Sequence, residues 1–229
     1  MKVAIHQPNF LPWPGFFHKW RHADCFVLLD TVQFEKNEFQ NRNRIKTAHG
    51  VRWLTVPVHY RFPMRIVEVK IVPGPWPRKH RRTIEESYRK AAAFAEVWPT
   101  LAPAWDEIPE DLCAFNIRLL RLLGDWLDCR APLVRASELG VDDPDPTQRL
   151  VRIVQAVGGT EYLAGAGGRN YMRLELFAEA GIRVRFQQVE VKPYPQCHGA
   201  FVPYLSALDL LLNLGRDAAQ YVRKMGDFA

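Results

Sequence analysis

The chain has 229 residues, of which 48% are hydrophobic, enough for a sizeable buried core, and 31 Lys and Arg against 25 Asp and Glu give a formal charge of +6. No run of about eighteen apolar residues occurs and the first residues lack the build of a signal peptide, so no membrane span is expected and a cytoplasmic protein is. Cys25, Cys113, Cys129 and Cys197 are scattered without a C-x-x-C spacing, so neither a disulfide framework nor a structural zinc site is indicated. The positive charge suits an anionic small-molecule partner; with no zinc-finger, basic-zipper or RNA-recognition motif, nucleic acid is not the expected one.

Taken in chain order, Val3, Ala4 and Ile5 form a short apolar run that predicts a buried strand ending at His6 and Gln7. Pro8, Pro12 and Pro14 forbid a helix across the next residues, so the chain crosses a loop carrying Asn9 and Trp13. Phe16, Phe17, Trp20 and Ala23 then share one face at helical spacing, and Cys25 to Leu29 gives a second strand ending at Asp30. Strand, loop, helix, strand is a βαβ unit, and in such units ligands bind beyond the carboxyl ends of the strands, where His6 and Asp30 fall.

Residues 31 to 50 are polar and amide-rich, with Gln33, Gln40, Asn41, Arg42, Asn43 and Lys46. A solvated loop is the plain reading. A binding loop is the other, because amides offer donors and acceptors and arginine grips a carboxylate or phosphate with two parallel bonds. Trp53 to Val58 and Ile66 to Val72 read as strands, the second near an edge. Arg78 to Tyr88 begins a basic helix in which His80, Arg81 and Arg82 either meet a phosphate or face solvent; basic charge at a helix amino end opposes the macrodipole.

Ala91 to Leu127 is helical by pattern, and Leu112 to Leu127 is apolar on more than one face, as a helix packed between layers would be. Pro132 to Val134 predicts a short strand. Thr147 caps a helix over Gln148 to Val157, and Glu161 to Ala164 a strand that runs into Gly165, Gly167, Gly168 and Tyr171. These glycines permit close backbone approach to a ligand, although the spacing is neither the Walker nor the dinucleotide pattern. A helix over Met172 to Ala180, a strand over Val184 to Val191 and a helix over Ser206 to Leu212 follow. Cys197 and His198 are adjacent, which does not make them face each other. The class expected is α/β with a mainly parallel sheet, flanking helices and a helical carboxyl-terminal part, organised as one domain over 1–229.

The runs HQPNFLPWPGFFHK, FVLLDTVQF, FQNRNRIKT, WLTVPV, YLAGAGGRNY and FVPYLSALDLLLNLG resemble the WbqC-like family of bacterial proteins, in order over nearly the whole chain. The resemblance implies a place in O-antigen, glycoconjugate or natural-product biosynthesis and a glycyl, other aminoacyl or acyl transfer. The family's histidine and amide cluster matches His6, Gln7, Asn41, Arg42 and Asn43; its serine before the glycine loop is Ala164 here. The opening also is similar to HxGH nucleotidyltransferases such as pantoate ligases, which implies a nucleotidyltransferase-like core. Trp13 and Phe16 stand in place of that motif's histidines, and neither ring stabilises phosphate charge.

Two functions of different class follow. In one, His6 is the general base of an acyl or aminoacyl transferase toward an amine or hydroxyl, Asp30 orients it or the acceptor, and Asn41, Arg42 and Asn43 bind the donor or the developing oxyanion. In the other, the protein binds a nucleotide-sugar, a carrier arm or a partner enzyme without catalysis, with Trp13 and the basic helix supplying affinity. A phosphopantetheine arm on a carrier protein, or a nucleotide-linked molecule, is the donor envisaged. Scattered carboxylates give no metal-ligand pattern.

Overall fold

The computed structural model describes residues 1–229. In the amino half, Lys2–His6 (β1), Pro14–His22 (α1) and Cys25–Leu28 (β2) are followed by the hairpin Arg42–Thr47 (β3) and Gly50–Thr55 (β4). The short pair Val58–His59 (β5) and Lys70–Ile71 (β6) then leads to the helices Trp76–Tyr88 (α2), Phe94–Leu101 (α3) and Leu112–Trp126 (α4). The carboxyl half runs through Leu133–Arg135 (β7), Pro146–Ala156 (α5), Glu161–Ala164 (β8), Leu174–Glu179 (α6) and Arg183–Val189 (β9). It closes with Ala207–Leu214 (α7), Asp217–Arg223 (α8) and Gly226–Phe228 (β10).

β1 is central because Val3, Ala4 and Ile5 are all buried, which only a strand covered on both faces allows. It pairs in parallel with β2 on one side and β8 on the other; β2 pairs with β7 and β8 with β9, also in parallel. Counted along the chain, the five parallel strands lie in the order 3-2-1-4-5, that of a doubly wound sheet. β10 adds an antiparallel edge to β9.

Alternate residues separate the two layers. Ala4, Phe26 and Leu28 face a larger core with Phe16, Phe17 and Trp20 of α1 and with α4 and α7, whereas Val3, Ile5 and Val27 face Leu150, Val154 and Phe177 of α5 and α6. Phe16 and Phe17 are buried almost completely, each worth roughly 2–3 kcal/mol on transfer from water. Pro14 sits at the start of α1, where its missing amide proton costs no hydrogen bond. No helix is long and apolar enough to cross a membrane.

The α/β class with a mainly parallel sheet stands as expected; several elements differ in detail. The amide-rich stretch is half a strand: β3 pairs antiparallel with β4, so the predicted strand over Trp53 to Val58 lies several residues earlier. Ile66 to Val72 holds a single 3₁₀ turn at Ile66–Glu68 and then the two residues of β6, because the turn is locked by Arg65 and Glu68. The helical stretch after Ala91 breaks at Ala102–Trp105, with Pro103 beside the end of α3. α5 is capped by Asp145, whose Oδ1 accepts from the Gln148 amide at 2.8 Å, with Pro146 rather than Thr147 at the start. The glycine loop is a 3₁₀ turn, Ala166–Asn170, and α6 behind it is only six residues long.

Candidate functional site

The parallel sheet divides at β1 and β8: from β1 the chain crosses over to β2, and from β8 it crosses the other way to β9. No crossover covers the carboxyl ends of this strand pair, so a crevice opens there. A cavity of about 280 Å³ lies between the two ends, walled by His6, Gln7, Lys19, Gly165, Gly167 and Tyr171 among others. A second, of about 490 Å³, continues along the start of α1 past Lys19 and Gly165 to Gln187 and Tyr204. A third, of about 280 Å³, lies between Asn9, Trp13, Phe39, Asn43, Arg44 and Tyr204. His6 borders all three.

The His6 ring meets Phe16 edge to face at 4.8 Å between centroids, and its Nδ1 lies 3.1 Å from the Gln7 carbonyl oxygen. A carbonyl only accepts, so Nδ1 carries the proton and Nε2 keeps its lone pair, with no partner in the protein. Burial first, and then the neighbouring Lys19 ammonium, bring the imidazole down to about 3, which keeps it neutral at pH 7.

Lys19 is the residue sequence reasoning missed. It stands on α1 and reaches back over the end of β1, where Nζ donates to the Ile5 carbonyl at 3.0 Å. It is almost wholly buried, no carboxylate compensates it, and loss of solvation brings its ammonium down to about 7. Only its three-dimensional position gives it away, since a lysine between Phe17 and Trp20 on a short helix otherwise reads as a solvent-facing residue.

Trp13 folds across Gly15: a Cβ there would fall 2.1 Å from the indole, so this position admits no side chain without moving the ring. Trp13 and Tyr204 lie 5.7 Å apart and make an aromatic wall. Asn9 is buried beside it, and its Oδ1 has no partner. Gln40 donates to Gln7 Oε1 at 2.9 Å, and its own Oε1 accepts from the Glu35 amide, which leaves the Gln7 amide nitrogen free toward the cleft.

The remaining predicted site residues are turned to other partners. Asp30 does not orient His6: its buried carboxylate accepts from Arg135 Nε at 2.8 Å and from the amide and hydroxyl of Ser137 at 2.9 and 2.8 Å, pinning β2 to the end of β7. Asn41 Nδ2 donates to the Val56 carbonyl and Asn43 Nδ2 to those of Phe10 and Leu11, so these amide groups hold backbone and are not free for an oxyanion. Arg42 lies over the Trp53 ring at 4.2 Å. Lys46 donates to Gln196, Gly199 and Ala200 and ties the carboxyl-terminal loop to β3. Gln33 donates to the Phe34 carbonyl. His80 is buried against Phe10 and Trp76 with Nε2 on the Thr55 carbonyl, away from the cleft, and burial lowers its pKa to about 4. Cys197 bonds Asn213 through its amide, and His198 bonds the Ser87 carbonyl, so the adjacent pair serves separate anchors. His6, Gln7, Asn9, Trp13, Gly165, Gly167, Gly168 and Tyr171 are thus brought together around the cleft, with Asn43 at one margin.

Together the sheet order and the crevice define a doubly wound α/β protein with a polar cleft at the switch point of its sheet. A sequence match carries the assignment further. The chain belongs to the WbqC-like protein family, whose profile covers residues 7–221. It is 38% identical over 226 residues to "Uncharacterized protein Rv1507c" of Mycobacterium tuberculosis (strain ATCC 25618 / H37Rv), across 97% of each chain. No solved structure matches it.

Proposed function

We propose that the protein is a transferase that moves an acyl or aminoacyl group, such as glycyl, onto an amine or hydroxyl of a sugar or natural-product intermediate in glycoconjugate, O-antigen or natural-product biosynthesis. The observation that carries this reading is the placement of His6, a neutral imidazole with an unpartnered Nε2, on the common wall of three adjoining cavities. Two substrates can meet there: the donor against the glycine turn, the acceptor against Trp13 and Tyr204. As the acceptor's nitrogen or oxygen attacks the donor carbonyl, Nε2 takes its proton and later returns it to the leaving group. Burial and the Lys19 ammonium make His6 a weak base, and an anionic donor beside Lys19 offsets the positive field and strengthens it. Gln7 and Asn9 replace Asn41 and Asn43 as the amide groups free to hold substrate.

A second reading, binding of a nucleotide-linked molecule or carrier arm without catalysis, draws support from the 3-2-1-4-5 strand order combined with Trp13 and Phe16 at the histidine positions of the HxGH motif. A donor presented on a phosphopantetheine arm by a carrier protein fits either reading. A cytoplasmic location accompanies both, and the four unpaired cysteines suit it. Replacing His6 by Gln separates the two. Transfer assayed by mass spectrometry with glycyl and acyl donors should fall by about 10²–10⁴-fold while the protein stays folded; unchanged transfer in folded His6→Gln would refute the role of His6.

A further inference from the structure

Lys19 and Lys46 are the two buried lysines, and they are used differently. Lys46 spends its ammonium on three oxygens, those of Gln196, Gly199 and Ala200. Lys19 makes one hydrogen bond, to Ile5, and the residue lines two of the cleft's cavities. An ammonium buried with one neutral partner is costly, and no Asp or Glu lines either cavity it faces.

Across from it lies the turn after β8. Gly165 and Gly167 have backbone angles open to any residue, and a Cβ on either would meet nothing within 4 Å. The fold does not need glycine at these positions; their effect is to keep the backbone bare and the cavity open. Gly168 differs, since a Cβ there would come 3.0 Å from Met172 Cε, a packing reason of its own. Bare backbone facing a lysine head, in a cavity without acidic groups, is the chemistry of oxyanion binding.

We propose that Lys19 and the turn Gly165–Gly167 form an anion subsite that takes a phosphate-type oxyanion of a small substrate. The inference rests on the switch-point cleft being the substrate site, but not on which reaction occurs there. Lysine suits the role as a compact point charge, and the ligand supplies the countercharge that the protein withholds.

The test is calorimetric titration of the full-length protein with inorganic phosphate and, separately, with acetate at the same ionic strength. Phosphate should saturate one site in the wild type, and Lys19→Met should weaken it by about tenfold or more, the loss of one hydrogen bond to a charged group. Gly167→Ala should weaken it as well while its melting temperature stays at or above the wild-type value. Should Lys19→Met fail to fold, Gly167→Ala alone decides. Failure of phosphate to saturate, undiminished binding by the folded variants, or acetate binding as tightly as phosphate would each overturn the subsite. The readout is binding without turnover, so it stands or falls separately from the transfer assay on His6→Gln.

Discussion

Replacing Lys19 with Met removes a buried ammonium and keeps the side chain's bulk between α1 and the end of β1. The fold holds this amine at about 7 against its ordinary 10.5. Between those values the unfolded chain carries a proton that the folded chain has released, so folding of the wild type becomes more favourable as pH rises from 7 to 10.5. Below 7 both states are protonated and the full penalty is present; above 10.5 it vanishes. Three and a half decades at about 1.4 kcal/mol each put the penalty on the order of 5 kcal/mol, an upper figure because local relaxation lessens it. Lys19→Met lacks this dependence. Urea unfolding of both proteins at pH 7, 8, 9 and 10 should show the variant more stable at pH 7 and the gap closing by several kcal/mol toward pH 10, with other titrating groups cancelling in the difference. A gap that stays constant with pH would show that the ammonium sits in the fold without cost, and the reasoning behind the anion subsite would fail with it.

Acid should unfold the protein through its buried histidines. His6 is held at about 3 and His18 and His80 at about 4, each chiefly by burial, so the unfolded chain takes up protons first as pH falls below 6.5; stability should drop by about 4 kcal/mol per pH unit near pH 5, and a flat urea-midpoint profile between pH 6 and 5 would refute this. Asn116→Leu orphans the carbonyls of Pro8 and Gln40, which Asn116 Nδ2 holds at 2.7 and 2.8 Å, and should cost roughly 2–4 kcal/mol of unfolding free energy in urea. Asp30→Asn leaves Arg135 without its carboxylate and should cost about 3 kcal/mol, with no change in the pH profile of any transfer by the folded protein; a shifted profile would restore Asp30 to the chemistry.

The central strands were legible because burial on both faces writes itself as short uninterrupted apolar runs: Val3 to Ile5, Cys25 to Leu28 and Tyr162 to Ala164. The proline-bounded loop and the glycine turn announced the two strand ends that meet at the cleft. What stayed hidden depended on partners far away in sequence. β3 is polar enough to pass for a loop, yet Asn43 is buried because the carbonyls of Phe10 and Leu11, more than thirty positions earlier, need its amide. Asp30 stands at a strand end like a catalytic group, but Arg135, 105 residues on, claims it. Lys19 showed the reverse: an ordinary surface residue by pattern, made exceptional by where α1 lies across β1.

The last strand also bears on how the molecule behaves among its own copies. A parallel sheet ending at β9 would present a row of unsatisfied amides and carbonyls, a template onto which another chain can pair. β10 occupies that row, with the Phe186 and Ala229 amides each donating to the other's carbonyl, and it is fastened from behind by His18, whose Nε2 meets the Gly226 carbonyl at 3.1 Å. The opposite border, β7, is three residues long. Residues 226–229 and one histidine on α1 thus act as a selvedge for this edge of the sheet, at the same end of the strands as the cavity that Gln187, Gln188 and Val189 help to wall, and removing them would leave a sticky margin beside it.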